Sequence, residues 1–517
     1  VGILRFSIVE DFGMSWDEEV QRRHGVVSAD YINQKCGECL YTGKKQSKDL
    51  MTYDHAHYGH LFSMLTFMAT DMHDESAPAY RQVYLVRHRI VAAVFFIGLV
   101  FFMFYIQRRF KKWYLAVLGV LLFTVHPRIF AHSFYNPKDI ILLSGFFLCV
   151  WSLSKSMDKE SWLWVIVHAM STGLLIGTRI LGVLMIPLTL IFYVLYAKKS
   201  LKYIAGYFIG SVLFTILFWP YLWEDPVGHF VDSWIKMSQY PWEGDLLLDG
   251  VWYVSGETPW YYPLRWMMIT IPLWILLPAV AGLIMWLVDK IRRIKKGAWF
   301  TEWEKDVPFG LFCAGILPVI VLGSTLYDGW RQLYFLAIPI AIWALMAIQV
   351  FISWLSSQRM EKKGSAAVML GFIVVSFLFT SMKMVKAHPD NQVYFNAFAK
   401  QNKMKHYDLD YWGNAYAKAY EYMAENIDDE IITVSGSNIP AKLNAYYIPH
   451  KYQKKIRYVD DAWRAKYFIS NWRQKEYRQR AIKQEWIYQD PIYIYKVGDT
   501  PLVGVYRNPY FGIDPSK

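Results

Sequence analysis

The chain has 517 residues, 55% of them hydrophobic, 18% aromatic and only 19% charged, with 23 Trp. The charged share lies below the ~25% of soluble domains, and the chain is too long for one soluble core, which excludes an ordinary globular protein. The formal net charge of +12 invites nucleic acid as a partner, but the excess sits in short loops between apolar runs and in a Lys/Arg-rich C-terminal region. That distribution orients a membrane protein and excludes nucleic acid.

Residues 1–9 read as the last turns of a first span, with a cleaved signal peptide as the alternative. A polar segment follows to about Gln82, making 1–82 the end of that span plus a first extracytoplasmic loop. Its most informative stretch is Ser15-Trp16-Asp17-Glu18-Glu19-Val20. Adjacent residues cannot share a helix face, so Asp17 can do chemistry while Glu18 holds position. A carboxylate held at a membrane surface suits general-base work on a substrate whose tail lies in lipid. A solvated charged turn is the alternative reading. Cys36 and Cys39, with His55 and His57 downstream, offer donors for a Cys2His2 zinc site. The spacing is not that of a zinc finger, and a short disulfide or free thiols is the other reading. A divalent metal is thus left open, and no other cofactor is required. Cys149 and Cys313 lie in apolar runs and read as small core residues.

Apolar segments long enough to cross a bilayer follow near 88–106, 113–126, 139–154, 162–178, 181–197, 203–220, 265–288, 308–323, 331–354 and 366–382. With the incomplete first span they make about eleven, the bundle occupying 83–382. Arg108, Arg109, Lys111 and Lys112 fill one connection, Lys198, Lys199 and Lys202 another, Lys290 to Lys296 a third, and Arg359, Lys362 and Lys363 a fourth. These are every second loop, which puts them in the cytoplasm. By parity the Asp17 segment, the 127–138, 221–264 and 324–330 loops and everything after 383 lie on the other side. Within 221–264, Val227, Phe230, Val231, Trp234 and Ile235 recur at helical spacing. They predict an amphipathic helix for the membrane interface, or one packed on the protein's own loops. Residues 383–517 are polar and Tyr-rich. A helix at 416–425 and strands at 431–434, 467–470, 492–497 and 502–506 predict a small α/β domain.

Four polar clusters share the outer side: Asp17 with Glu18; the 126–139 loop with Arg128, Asn136, Lys138 and Asp139; Gly177-Thr178-Arg179; and Tyr327-Asp328-Gly329-Trp330-Arg331. A single arginine at a span end reads as an interfacial anchor. Several cations with carboxylates on one face fit a bound lipid phosphate, which guanidinium groups hold best. A sugar linked through phosphate to a polyprenol has a good leaving group. Its transfer therefore needs cations and one base to take the acceptor's proton, a reduced form of two-carboxylate glycosidase logic. Asp17 is the expected base.

These motifs resemble the membrane glycosyltransferases of the GT-C superfamily, in the bacterial branch related to protein O-mannosyltransferases and the lipid A aminoarabinose transferase. The resemblance is carried by Phe12-Gly13-Met14-Ser15-Trp16-Asp17-Glu18, Ser133 to Asp139, Gly177 to Gly182, and Asp328-Gly329-Trp330-Arg331. Tyr394-Phe395-Asn396 and Asp410-Tyr411-Trp412-Gly413 look like the segment that opens the outer domain in such proteins. The resemblance implies a polyprenyl-phosphate-linked hexose or pentose as donor and inversion at the anomeric carbon. It also implies a hydroxyl acceptor on a protein, lipid or glycan. The site would lie on the periplasmic face of a bacterial inner membrane. It further implies catalytic roles for Asp17, Glu18 and Asp139, and donor-phosphate or structural roles for Arg128, Asn136, Lys138, Arg179 and Arg331. His60 stands where related sequences often carry Pro, and the Cys36/Cys39 pair is not a family feature. The main rival is a lipid or solute transporter, for which His168 inside a span is the principal candidate residue. A receptor or scaffold is the third reading.

Overall fold

The computed structural model describes residues 7–41, 48–70, 77–158, 160–240, 242–357, 363–485, 488 and 490–513. Most of the expected end of a first span, and the basic residues Arg359 and Lys362, lie outside them. The polar first segment forms helices α1 (Trp16–Lys35) and α2 (Leu61–Thr70). The ten expected apolar segments are helical, the one at 265–288 in two pieces broken at Ile271–Pro272: α3 (Ala77–Phe110), α4 (Trp113–Thr124), α5 (Pro127–Tyr135), α6 (Asp139–Asp158), α7 (Trp162–Thr178), α8 (Met185–Phe192), α9 (Leu201–Phe218), α10 (Pro226–Ser238, the expected amphipathic helix), α11 (Tyr262–Thr270), α12 (Leu273–Lys295), α13 (Trp303–Val321), α14 (Ala337–Ser357) and α15 (Lys363–Ala387) make up the bundle and its connections. In lipid the backbone must satisfy its own hydrogen bonds, which is why apolar runs of this length become helices.

Among the described residues, seven helices are long and apolar enough to cross a membrane, or eight if the bent pair α4 and α5 is one span. The segment expected at 113–126 stops at Thr124 and turns by 71° into α5, because Pro127 cannot continue a helix and starts a new one as its first residue. α7 is 17 residues long, and α13 carries Glu304 and Asp306 in its first turn with two internal prolines.

The basic connections gather at one end of the bundle. There Arg108 pairs with Asp158, and Asp306 accepts hydrogen bonds from Tyr196 (2.8 Å), Trp286 (2.8 Å), Lys290 (2.7 Å) and Arg293 (2.7 and 3.0 Å). On α10, Asp225 caps the Gly228 amide at 2.9 Å. Val227, Val231 and Ile235 are exposed along its outer face, as an interfacial helix requires. The 221–264 loop also holds a β-hairpin, β1 (Asp245–Leu248) with β2 (Val251–Val254). Its two turn residues have positive φ, 52° at Asp249 and 90° at Gly250, the geometry for which Asp-Gly is favoured.

The outer domain is a mixed five-stranded sheet in the order β4-β3-β5-β7-β6, with β3 (Ile432–Gly436), β4 (Ile456–Tyr458), β5 (Tyr467–Ser470), β6 (Tyr493–Val497) and β7 (Thr500–Arg507). β3 is parallel to β4 and β5, and β7 is antiparallel to β5 and β6. Helices α16 (Tyr416–Asn426), α17 (Ile439–Tyr447) and α18 (Lys475–Lys483) complete it. Ile432, Val434, Ile469, Val503 and Val505 are wholly buried. The expected helix and four strands are present; β4, α17 and α18 are additional.

Two buried carboxylates, Asp390 and Asp410, share the Gln392 side-chain amide at 2.9 and 3.3 Å, and Tyr495 donates to Asp390 at 2.8 Å. Burial and then repulsion from Asp390 push Asp410 up to about 7, and burial raises Asp390 too. A carboxyl raised in the folded state holds its proton there longer than in the unfolded chain. Its stabilising contribution is therefore complete below the unfolded value near 4 and is lost as pH rises toward 7. We expect Asp390→Asn to gain in unfolding midpoint over the wild type progressively from pH 4 to 7. Parallel pH curves for the two proteins would contradict this.

Candidate active site

Ser15-x-x-Glu18 is half of a capping box: the Glu18 carboxylate accepts the Ser15 amide at 2.7 Å and so starts α1. The other Glu18 oxygen lies 2.6 Å from His88 Nε2 on α3, and His88 Nδ1 lies 3.2 Å from the Tyr447 hydroxyl on α17. Glu18 thus ties the first loop, the bundle and the outer domain together and is 2% exposed. One residue earlier on the helix, Asp17 points the other way, into a cavity. Upstream, the Asn444 side chain clasps Met14 through both backbone groups, each at 2.9 Å. A Cβ on Gly13 would lie 2.2 Å from the Asn414 carbonyl oxygen, so only glycine permits this approach. Glu18→Gln is expected to cost about 1–3 kcal/mol, the range for a compromised buried hydrogen bond. Thermal unfolding would show it, while any turnover loses far less than it does with Asp17 changed. Unchanged stability would contradict the anchoring role.

The cavity has a volume of about 470 Å³ and lies where the first loop, the mouth of the bundle, the hairpin and the outer domain meet. Asp17, Lys138, Asp328 and Arg331 line it, with Trp242, Trp412 and Arg473. Lys138 Nζ lies 3.3 Å from Asp17 and over the Tyr58 ring at 4.8 Å. Burial pulls the Lys138 ammonium below its usual value, and Asp17 opposes that. Arg331 donates to Asp139 at 2.8 Å and to Asp328 at 3.4 Å, and its plane lies between the Tyr327 and Trp412 rings at 4.8 and 4.6 Å. Its Nε finds no partner among the described residues.

Asp139 does not line this cavity. It is 1% exposed and binds Arg179 through one oxygen, and Arg331 and Asn136 (2.9 Å) through the other. It is the counter-ion of two arginines, which distinguishes its position from that of Asp17. Asn136 also accepts the amides of Lys138 (3.2 Å) and Asp139 (2.9 Å), which fixes the start of α6. Arg128 lies away from the cavity: its Nε donates to the Tyr394 carbonyl at 3.1 Å, and it stacks on Phe395 and Trp266. Arg179 faces a second recess of about 100 Å³, with Leu184, Trp234, Met237 and Leu322 around it. The two spaces share Tyr58. A Cβ on Gly59 would meet the Gly177 carbonyl oxygen at 2.4 Å, which is how the Tyr58 loop packs against the Arg179 turn.

Cys36 and Cys39 form a disulfide, so their thiolates are spent and the zinc reading of Cys36, Cys39, His55 and His57 does not hold. His57 instead meets Lys236 at 2.7 Å. His55 lines the cavity, where burial and then Lys138 hold it below its ordinary value. Among the described residues no group of three or more His, Cys, Asp or Glu is placed to hold a metal ion. His168 is satisfied by Ser152 (2.8 Å) and Thr189 (2.9 Å) and stacks on Tyr207.

The site also contains residues that sequence reasoning missed. Trp242 stacks on Tyr327 with ring centres 4.5 Å apart. Arg473 arrives from the outer domain and donates to Asp328 at 2.8 Å and Asp408 at 3.1 Å. No sequence motif marks it.

A model of the family described as dolichyl-phosphate-mannose-protein mannosyltransferase matches residues 83–223, a stretch holding Asn136, Lys138, Asp139 and Arg179. No curated protein matches the chain. Crystal structures of ArnT from Cupriavidus metallidurans are similar over 99% of this chain. The apo state has 10% identity, a TM-score of 0.46 and 97% of its chain covered. The state bound to undecaprenyl phosphate has 11%, 0.42 and 98%. The apo oligosaccharyltransferase of Archaeoglobus fulgidus has 10% identity and a TM-score of 0.43, over 90% of this chain and 64% of its own. The family match agrees with the resemblance to membrane glycosyltransferases carried by the motifs.

Proposed function

We propose that the protein is an inverting glycosyltransferase. It moves a sugar, hexose or pentose, from a polyprenyl-phosphate donor to a hydroxyl on a protein, lipid or glycan acceptor. The observation that carries this reading is one cavity in which Asp17 faces Lys138 and Arg331, with an apolar recess beside it at Arg179. The acceptor oxygen attacks C1 as the C1–O bond to phosphate breaks. The bonding pair leaves with the phosphate, and the acceptor proton passes to the Asp17 carboxylate. Lys138 and Arg331 stabilise the charge that grows on the departing phosphate. A phosphate seated at Lys138 draws the ammonium from Asp17 and frees that carboxylate to act as base. The prenyl chain leaves through the recess between Trp234 and Leu322 toward lipid. The acceptor enters from the wall formed by the hairpin and the outer domain.

The excess of Lys and Arg in alternate loops supports placing this face outside the cytoplasm, and the membrane we propose is a bacterial inner membrane. The transporter alternative finds little support, since His168 has both ring nitrogens satisfied within the bundle. The direct test is lipid binding by the detergent-purified protein, with and without chelator. The reading predicts that undecaprenyl phosphate binds and undecaprenol does not. Equal binding of the two would remove the phosphate site from the account, and loss of binding with chelator would bring in a divalent metal.

A further inference from the structure

The Arg331 guanidinium has a competitor for any phosphate: Asp328, three residues earlier, whose carboxylate lies 3.4 Å from Nη2. That contact is long for a charged pair. The same carboxylate is held more closely from the other side, by Arg473 Nη2 at 2.8 Å. Arg473 is in turn steadied by Asp408 at 3.1 Å and by the Asp245 carbonyl at 3.2 Å. Asp328 sits on left-handed backbone, and Arg473 directly follows a residue that does. Asp328 has φ 58° and is followed by Gly329 at 81°, and Trp472, just before Arg473, has φ 51°. A bulky residue rarely adopts that conformation, and such backbone gathers where a side chain must be aimed. Trp472 is kept there by its bonds to Tyr506 (2.9 Å), Ser470 (3.1 Å) and Arg478 (2.8 Å).

We propose that Arg473 is a positioning residue for donor binding: by holding Asp328 it leaves Arg331 Nη2 available to the donor's phosphate. The outer domain thereby completes the phosphate site through one side chain. This rests on the donor reading given above and deepens it. Without Arg473, Asp328 turns fully onto Arg331, and phosphate has to displace a carboxylate at closer range.

The test uses the full chain in detergent with undecaprenyl phosphate as the probe. Arg473→Met is expected to weaken binding by about tenfold or more, within the range typical of coupling between a remote side chain and a binding site. It raises the donor KM more than it lowers kcat, and Arg473→Lys recovers part of the loss. Asp328→Asn in the Arg473→Met background restores binding, because the competitor is gone, and Asn tolerates positive φ. Asp328→Asn alone tightens binding, an arm that needs no change at Arg473. Unchanged binding in Arg473→Met overturns the proposal. So does a double variant that stays weak with a wild-type unfolding midpoint, or weaker binding in Asp328→Asn alone. A wild type that binds no undecaprenyl phosphate overturns the donor reading itself, and this inference with it.

Discussion

Asp17→Asn is expected to lower transfer by about 10²–10⁴-fold, the range that a positioned general base contributes, while donor binding is kept or tightened. The amide has the shape of the carboxylate but cannot take the acceptor's proton. The same change removes the group that holds Lys138 at 3.3 Å, so the ammonium becomes more available to phosphate. The combination of lost kcat with a donor KM that does not rise distinguishes a base from a donor-binding residue. Steady-state kinetics with varied donor measures both. A variant with a raised KM and a wild-type kcat would assign Asp17 to donor binding instead.

The second large effect is on folding. Asp139→Asn is expected to cost about 3–5 kcal/mol, the scale for breaking a buried ion pair by removing one partner. Its carboxylate is the shared counter-ion of Arg179 and Arg331 and carries the Asn136 bond at 2.9 Å. With an amide there, Arg179 loses its carboxylate partner and Arg331 keeps only the longer contact to Asp328 at 3.4 Å. The unfolding midpoint in detergent should fall sharply, and any folded fraction should bind phosphate through displaced arginines. A variant with wild-type stability would show that the arginines are neutralised elsewhere.

Much of this organisation was legible in the sequence. The ten apolar segments could be placed because lipid permits few alternatives to a helix. Among the described residues seven helices are long and apolar enough to cross on their own; the segment at 113–126 ends where Pro127 starts a new helix, and α13 begins with charged residues. The separation of Asp17 from Glu18 followed from helix geometry, and Ser15-x-x-Glu18 carried a capping signature that explains which of the two is spent. The hairpin was not expected from the sequence, although Asp249-Gly250 is a local signal for it. The position of Asp139 could not be read locally, because it depends on arginines 40 and 192 residues away. Arg473 meets Asp328 across 145 residues, through the fold of a separate sheet, and leaves no local pattern. Cys36 and Cys39 were chemically ambiguous until their geometry showed a disulfide.

The most direct measurement is release of polyprenyl phosphate by the purified protein from a panel of polyprenyl-phosphate sugars with candidate hydroxyl acceptors, the product's anomeric configuration being read by NMR. The account predicts release matched one for one by glycosylated acceptor of inverted configuration. Retained configuration would contradict it, as would lipid carried across the membrane with its sugar–phosphate bond intact.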